Sequence, residues 1–287
     1  MIKSIARDEP VLVVAVVDTG AVERARLIHD TFPTATSALG RTLTGAVLLS
    51  SLLKEGQKLS LQVVGEGPLK EVFAEADWRG RVRGYARRPH VFLGLLGGNL
   101  DVGRGFGNGY LHVVKDLGVR EPYHSSIPLQ TGEIASDIAY YLSVSEQIPA
   151  AVSVGVYVGA DNSVMASGGF MVHALPEAGE ELIGDLENRI GDLKPVSSMV
   201  LDGMDPEEIT AELLAMPYEV LERRDIIYSC PCSRDRVMRA LIALGKDDIR
   251  ELAAKGEPLS IECHFCKAGY TVTQEELEDL LREVTGS

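Results

Sequence analysis

No apolar run in this chain reaches the roughly 18 residues that a membrane-crossing helix needs. The best candidate, Val11 to Val17, stops at Asp18 and reads as a buried strand. The first residues, Met1 to Ser4, lack the charged region, apolar stretch and small-residue cleavage site of a secretion signal. The expected location is therefore cytoplasmic, with no membrane partner. A basic surplus is missing too: 28 Lys and Arg face 42 Asp and Glu, a net charge of −14. Nucleic-acid binders draw most of their sequence-independent affinity from neutralised phosphates, so nucleic acid is not an expected partner. Cysteine is absent from the first 229 residues, and all four copies lie in the last fifth of the chain. A secreted disulfide scaffold would spread them through a small fold, whereas clustering in a cytosolic chain points to metal binding or redox chemistry.

Nucleotide and nucleophile signatures are lacking as well. Gly103-Arg104-Gly105-Phe106-Gly107-Asn108-Gly109 has neither the dinucleotide fingerprint nor the P-loop spacing, and reads as a tight turn. His29, His90, His112, His124 and His173 are scattered, with no serine or cysteine nucleophile motif beside them. Arg79, Arg81 and Arg83 alternate along a predicted strand and so share one face. That face is expected to be solvated, or to dock the acidic linker of residues 176–225, rather than to form a nucleic-acid groove. No internal repeat or low-complexity tract is present.

What is present is an α+β pattern with an uneven charge distribution. Residues 1–175 carry 16 basic and 17 acidic side chains, residues 176–225 carry 4 and 14, and residues 226–287 carry 8 and 11. The first part predicts a strand at Val11–Val17 and helices at 19–28 and 36–53. A strand follows at 58–64, then a hairpin over 72–86, a helix from Thr131-Gly132-Glu133 to Glu146, and a hairpin over 151–173. From Pro176 the texture changes to marginal, acidic, amphipathic helices. One carries Leu182, Ile183, Leu186 and Ile190 at helical spacing. Another opens with Asp205-Pro206-Glu207-Glu208, an N-cap, a first-turn proline and two first-turn acids, ahead of Ile209, Leu213 and Leu214. The expected organisation is a mixed α/β core domain (1–175), an acidic helical linker (176–225) folded only while docked, and a small C-terminal zinc-binding domain (226–287).

The chemistry sits in Cys230-Pro231-Cys232 and, thirty residues later, Cys263-His264-Phe265-Cys266. Two close pairs on separate turns can present four sulfurs at tetrahedral corners, the arrangement that suits zinc. Four thiolates leave no open position, so zinc hydrolysis is not expected. His264, inside the second pair, is expected to be an exposed loop residue rather than a ligand. A tail of this size gains only ~3–5 kcal/mol from its core, whereas a structural zinc contributes an apparent ~10–16 kcal/mol. Spacing alone leaves open whether the site is an inert staple or a sensor. The neighbouring Arg234, Arg236 and Lys267 would favour thiolate and reactivity.

These residues resemble the redox-regulated heat-shock holdase chaperones, the 33-kDa chaperonin family. The likeness includes Cys230 to Arg236, Glu262 to Cys266 with Tyr270, Thr131 to Ala135 with Asp137, Ala139 to Leu142, Ser145 to Gln147, Val82 to Tyr85 and Gly168 to Phe170. It implies a protein that is not an enzyme. When reduced, it would hold one Zn2+ on Cys230, Cys232, Cys263 and Cys266 and be inactive. Oxidation would form the disulfides Cys230–Cys232 and Cys263–Cys266, release zinc, and unfold the tail and linker. The exposed surface would then bind unfolded or partly folded client proteins without ATP, as a homodimer. Two other readings remain: a zinc-ribbon adaptor for nucleic acid or protein, and a thiol–disulfide oxidoreductase using Cys263 and Cys266. The second would need that pair at a helix start following a strand.

Overall fold

Alternation of apolar and polar side chains accounts for most of the strands, because successive residues face opposite sides of a sheet. The computed structural model describes residues 1–285. The chain divides into two compact units, Met1–Ser229 and the residues from Cys230 onward. In the first unit, β1 (Ile2–Ala6) and β2 (Val11–Val17) precede helices α1 (Thr19–His29) and α2 (Pro33–Ser50). Next come β3 (Lys58–Gly65), β4 (Glu71–Asp77), β5 (Arg81–Ala86), the two-residue strands β6 (Leu95–Leu96) and β7 (Asn99–Leu100), and the short helix α3 (Val102–Phe106). Strands β8 (Gly109–Asp116) and β9 (Tyr123–Pro128) lead to α4 (Ala135–Tyr141), which continues as a π-turn over Leu142–Glu146. The hairpin β10 (Ala150–Val158) and β11 (Val164–Ala174) follows. Helices α5 (Glu180–Asp192), α6 (Val196–Leu201) and α7 (Pro206–Leu214) come next, and strands β12 (Tyr218–Arg223) and β13 (Ile227–Tyr228) end the unit.

Two sheets result, one ordered β10-β11-β2-β1-β12 and the other β13-β5-β4-β3-β8-β9. Helix α2 packs against strands of both and is buried along nearly its whole length, with the hydroxyls of Thr42 and Thr44 donating back to helix carbonyls at 2.7 and 2.9 Å. It starts at Pro33 rather than at the expected Thr36, because a proline with its fixed φ suits the first helical position. The glycine-rich stretch 94–109 contains β6, β7 and α3, with Asp101 capping α3 through the Arg104 N–H at 2.9 Å. Strands β1, β8, β9 and β12 were not among the expected elements.

The Thr131–Ala135 stretch is structural. The Asp137 carboxylate accepts the backbone N–H groups of Gln130, Thr131 and Ile134 at 2.6, 3.1 and 3.0 Å. Glu133 pairs with Arg41 and accepts the Gly103 N–H at 2.7 Å. These bonds hold Ile134 at φ +71, a conformation a β-branched residue rarely takes. Arg81 and Arg83 of β5 and Arg87 just beyond it pair with acids of β4: Arg81 with Asp77, Arg83 with Glu75 and Arg87 with Glu71, at 2.5, 2.7 and 3.5 Å. They are therefore not the dock for the acidic helices, which pack on the other sheet.

Residues 176–225 fold as three helices and one strand. Leu186, Val196, Met199, Ile209, Leu213 and Leu214 are buried with Val11, Val13, Ala15, Phe170 and Val172 of the five-stranded sheet. Leu182, Ile183 and Ile190 are half-buried. Asp205 caps α7 by accepting from the N–H groups of Glu207 and Glu208 at 2.8 and 2.9 Å, and Glu208 returns a bond to the Asp205 N–H. Arg189 of α5 donates to the terminal carbonyls of α7, Leu213 and Leu214, and so ties the two helices together.

Asp18 is the odd group in the core. It is buried, accepts the Thr44 hydroxyl at 2.9 Å, and leaves Oδ1 without a partner. Burial pushes its carboxyl up to about 6 from 3.8. The folded chain therefore holds this proton more tightly than the unfolded chain does. The resulting cost is absent below pH ~4, grows as pH rises, and is complete above pH ~6, where it amounts to ~3 kcal/mol. Asp18→Asn is expected to stabilise residues 1–229 by ~1–3 kcal/mol at pH 7 and to have little effect at pH 4. Urea unfolding of both proteins at the two pH values checks this, and an equal difference at both would contradict it.

Candidate metal centre

The second unit places its chemistry on two turns. Cys230-Pro231-Cys232 runs into Ser233, whose hydroxyl caps α8 (Arg234–Leu244) by accepting the Arg236 N–H at 3.3 Å. Helix α9 (Lys246–Ala254) follows, then β14 (Leu259–Glu262), β15 (Gly269–Val272) and α10 (Gln274–Thr285). Strands β14 and β15 form an antiparallel hairpin, and Cys263 to Cys266 make its turn. The turn is closed by the Lys267 N–H donating to Cys263 O and the Cys263 N–H to Ala268 O, both at 2.9 Å, with Lys267 at φ +59. The core beneath is small: Leu241, Ile249, Val272, Leu277 and Leu280 are its buried side chains among the described residues.

The two turns bring all four sulfurs within 4.8 Å of one another. Cys230 Sγ lies 3.6 Å from Cys263 Sγ, and Cys232 Sγ lies 3.1 Å from Cys266 Sγ. None is in a disulfide, and all four are half-buried. A tetrahedral ion with ~2.3 Å metal–sulfur bonds separates its sulfurs by roughly 3.8 Å, and the observed spread brackets that value. The four cysteines are positioned to hold a metal ion. His264 is exposed and stands outside the cluster.

Tyr270 is the residue at this site that sequence reasoning did not assign a role. Its hydroxyl donates to Cys232 Sγ at 3.1 Å, and that bond, more than any other influence, pulls the Cys232 thiol down to about 7. Burial pushes Cys266 up to about 12. The basic residues expected to act on the thiols are engaged elsewhere. Arg234 binds the Thr271 carbonyl at 2.8 Å and the Glu276 carboxylate at 2.6 Å. Arg236 binds Pro231 O at 3.1 Å, and Lys267 binds Glu262 at 2.8 Å. The available signal for Tyr270 was hairpin register, which sets it opposite Ile261, two residues before Cys263. In the reduced, metal-loaded protein, Tyr270→Phe is expected to speed transfer of the metal to a chelator several-fold, because a hydroxyl hydrogen bond to the sulfur favours the thiolate form that binds metal. A colorimetric chelator reads the rate, and an unchanged rate would contradict the assignment.

Cys263 and Cys266 do not stand at a helix start following a strand, the setting that a thioredoxin-like oxidoreductase requires. Among the described residues, no helix is long and apolar enough to cross a membrane.

The profile of the Hsp33 protein family matches residues 1–273. The chain belongs to the Hsp33 family. It is 52% identical over 284 residues to the 33 kDa chaperonin of Thermodesulfovibrio yellowstonii, with 99% of each chain covered. It is 44% identical to the 33 kDa chaperonin of Geobacter sulfurreducens, covering 99% of this chain and 95% of that one. The crystal structure of the 33 kDa chaperonin of Thermotoga maritima superposes with a TM-score of 0.89 at 34% identity, covering 100% of this chain and 99% of that one. The α+β architecture is thus that of an Hsp33 chaperone, with four clustered cysteines able to form a zinc site and to enter redox-related disulfides.

Proposed function

We infer that this protein is a redox-regulated, ATP-independent holdase whose switch is the four-cysteine centre. The observation that carries the reading is the convergence of four sulfurs, none of them in a disulfide, on one point in a unit whose own core is small. In the reduced state Cys230, Cys232, Cys263 and Cys266 hold one zinc. Zinc, when bound, keeps all four sulfurs as thiolates and leaves no position for water. Oxidation by peroxide joins Cys230 to Cys232 and Cys263 to Cys266. Each pair gives up two electrons to one peroxide, which takes two protons from solvent and leaves as two waters, and the sulfurs lose their hold on the metal. The residues from Cys230 onward then lose the contribution that folded them, and the acidic helices of residues 176–225 loosen. The apolar side chains so freed bind unfolding client proteins. The working form is a cytoplasmic homodimer that needs no nucleic acid and no membrane.

The test is metal content and cysteine connectivity on the same sample. The reduced protein is expected to carry one zinc per chain, and the peroxide-treated protein none, with peptide mapping giving the two local disulfides. A reduced protein with no zinc, or bridges running between the two pairs, would overturn the reading.

A further inference from the structure

The segment that ends one residue before Cys230 is held on its sheet by little. Strand β12 lies on the five-stranded sheet, and after Arg224 and Asp225 the chain crosses to the six-stranded one. There β13 pairs in parallel with β5 over two residues only, Ile227 opposite Arg81 and Tyr228 opposite Val82. The Ile227 N–H donates to Gly80 O at 3.1 Å, and the Ser229 N–H donates to Val82 O at 2.9 Å. Side chains alternate as in any strand: Ile227 is 57% exposed, while Ile226 and Tyr228 pack against the main core. The Tyr228 hydroxyl donates to Gly84 O at 2.9 Å and lies 3.3 Å from His29 Nε2.

The sheet edge is shaped for this close approach. Gly80 sits at φ +80, and a Cβ there would stand 2.5 Å from Asp225 O. The segment does not fill the space around it, because it shares a cleft of about 340 Å³ with Asp18, Thr19 and Arg24. Lifting the segment would leave the carbonyls of Gly80, Val82 and Gly84 as an open edge, which is a template for another strand.

We propose that the edge of β5 is an acceptor for extended client segments, and that residues 226–229 are its built-in occupant. An incoming strand runs parallel to β5 and donates backbone N–H groups to Gly80 and Val82. It sets an aliphatic side chain in the place of Ile226 and an aromatic one in the place of Tyr228. This is strand addition, in which backbone bonds supply affinity and alternate pockets supply selectivity. That the occupant is a client rests on the chaperone reading, whereas the edge and its two pockets stand on geometry alone.

The probe is a dye-labelled hexapeptide with the sequence of residues 224–229, added to the full-length, reduced, metal-loaded protein. Wild type is expected to bind it weakly, because the edge is occupied and apparent affinity scales with the open fraction. Tyr228→Ala is expected to bind it at least about tenfold tighter, with Tyr228→Phe intermediate. A peptide with proline in place of Ile227 is expected to lose that gain. Hydrogen exchange over residues 225–229 is followed in the same samples. Exchange that speeds up in the variants without any gain in peptide binding would overturn the proposal. So would a segment that stays protected in both variants, because Tyr228 would then not be its anchor. The peptide is read on reduced protein, so a failure here is distinct from a failure of oxidised wild type to protect a client.

Discussion

Stripping the metal from the reduced protein is expected to unfold residues 230–285, to loosen the helices of residues 176–225 and to leave residues 1–175 folded. The second unit buries few apolar side chains, and a core of that size gives no more than ~3–5 kcal/mol. A four-thiolate zinc site contributes an apparent ~10–16 kcal/mol, so the ion outweighs the core. The capping pair of Thr273 and Glu276, and the bonds from Arg234 to Glu276 and the Thr271 carbonyl, are exposed contacts that water and salt screen. They do not close the gap. Adding a strong chelator under reducing conditions, with hydrogen exchange read peptide by peptide, should show protection lost from Cys230 onward, lowered across the helices of residues 176–225 and kept in α2 and the strands of residues 1–175. Protection persisting across α8 to α10 in the metal-free protein would show that the second unit does not depend on its metal.

Replacing Leu213 by Asp is expected to release the helices of residues 176–225 while the metal stays bound. Leu213 is fully buried, in a cluster with Val11, Val13, Phe170 and Val172. Removing it loses ~2–5 kcal/mol of packing, and an unpaired carboxylate in its place adds several more. The helices have little with which to resist. The stretch 176–225 carries 14 acids against 4 bases, and isolated helices of this length are marginal in water. Loss of α7 also removes the carbonyls that Arg189 of α5 holds, so α5 should follow. Amide exchange across residues 180–214 of the reduced variant should speed up by more than a hundredfold, with some client protection gained before any oxidation. Protection equal to wild type, or melted helices with no gain in client protection, would remove these helices from the switch.

The sequence was most legible where one local rule sufficed. The metal cluster followed from the spacing of Cys230, Cys232, Cys263 and Cys266, because two short turns leave few ways to place four sulfurs. Helix α7 followed from Asp205 and Pro206, whose N-cap and first-turn proline form as expected, and the structure adds a capping box with Glu208. Strand pairing at long range was less legible. Strand β1 is short and its residues Lys3 and Ser4 interrupt the apolar pattern, yet it becomes a sheet strand between β2 and β12. The stretch Arg223 to Tyr228 reads as a strand leading to Cys230, but the chain crosses between sheets at Arg224 and Asp225, so Arg223 ends β12 and only Ile227 and Tyr228 form β13. Side-chain electrostatics were legible only in part. Arg234, Arg236 and Lys267 are close to the cysteines in sequence, but their partners are carboxylates and carbonyls, and the group that acts on Cys232 is Tyr270, 38 residues away along the chain.

The most direct test follows aggregation of a thermally unfolding client by light scattering, in the presence of one preparation of this protein taken through three states. The reduced, zinc-loaded protein should leave aggregation unchanged. The same protein after peroxide treatment, with zinc gone and both disulfides formed, should suppress it at near-stoichiometric ratio without ATP. Re-reduction with zinc should abolish the suppression. Equal suppression in all three states, or none in the oxidised state, would contradict the account.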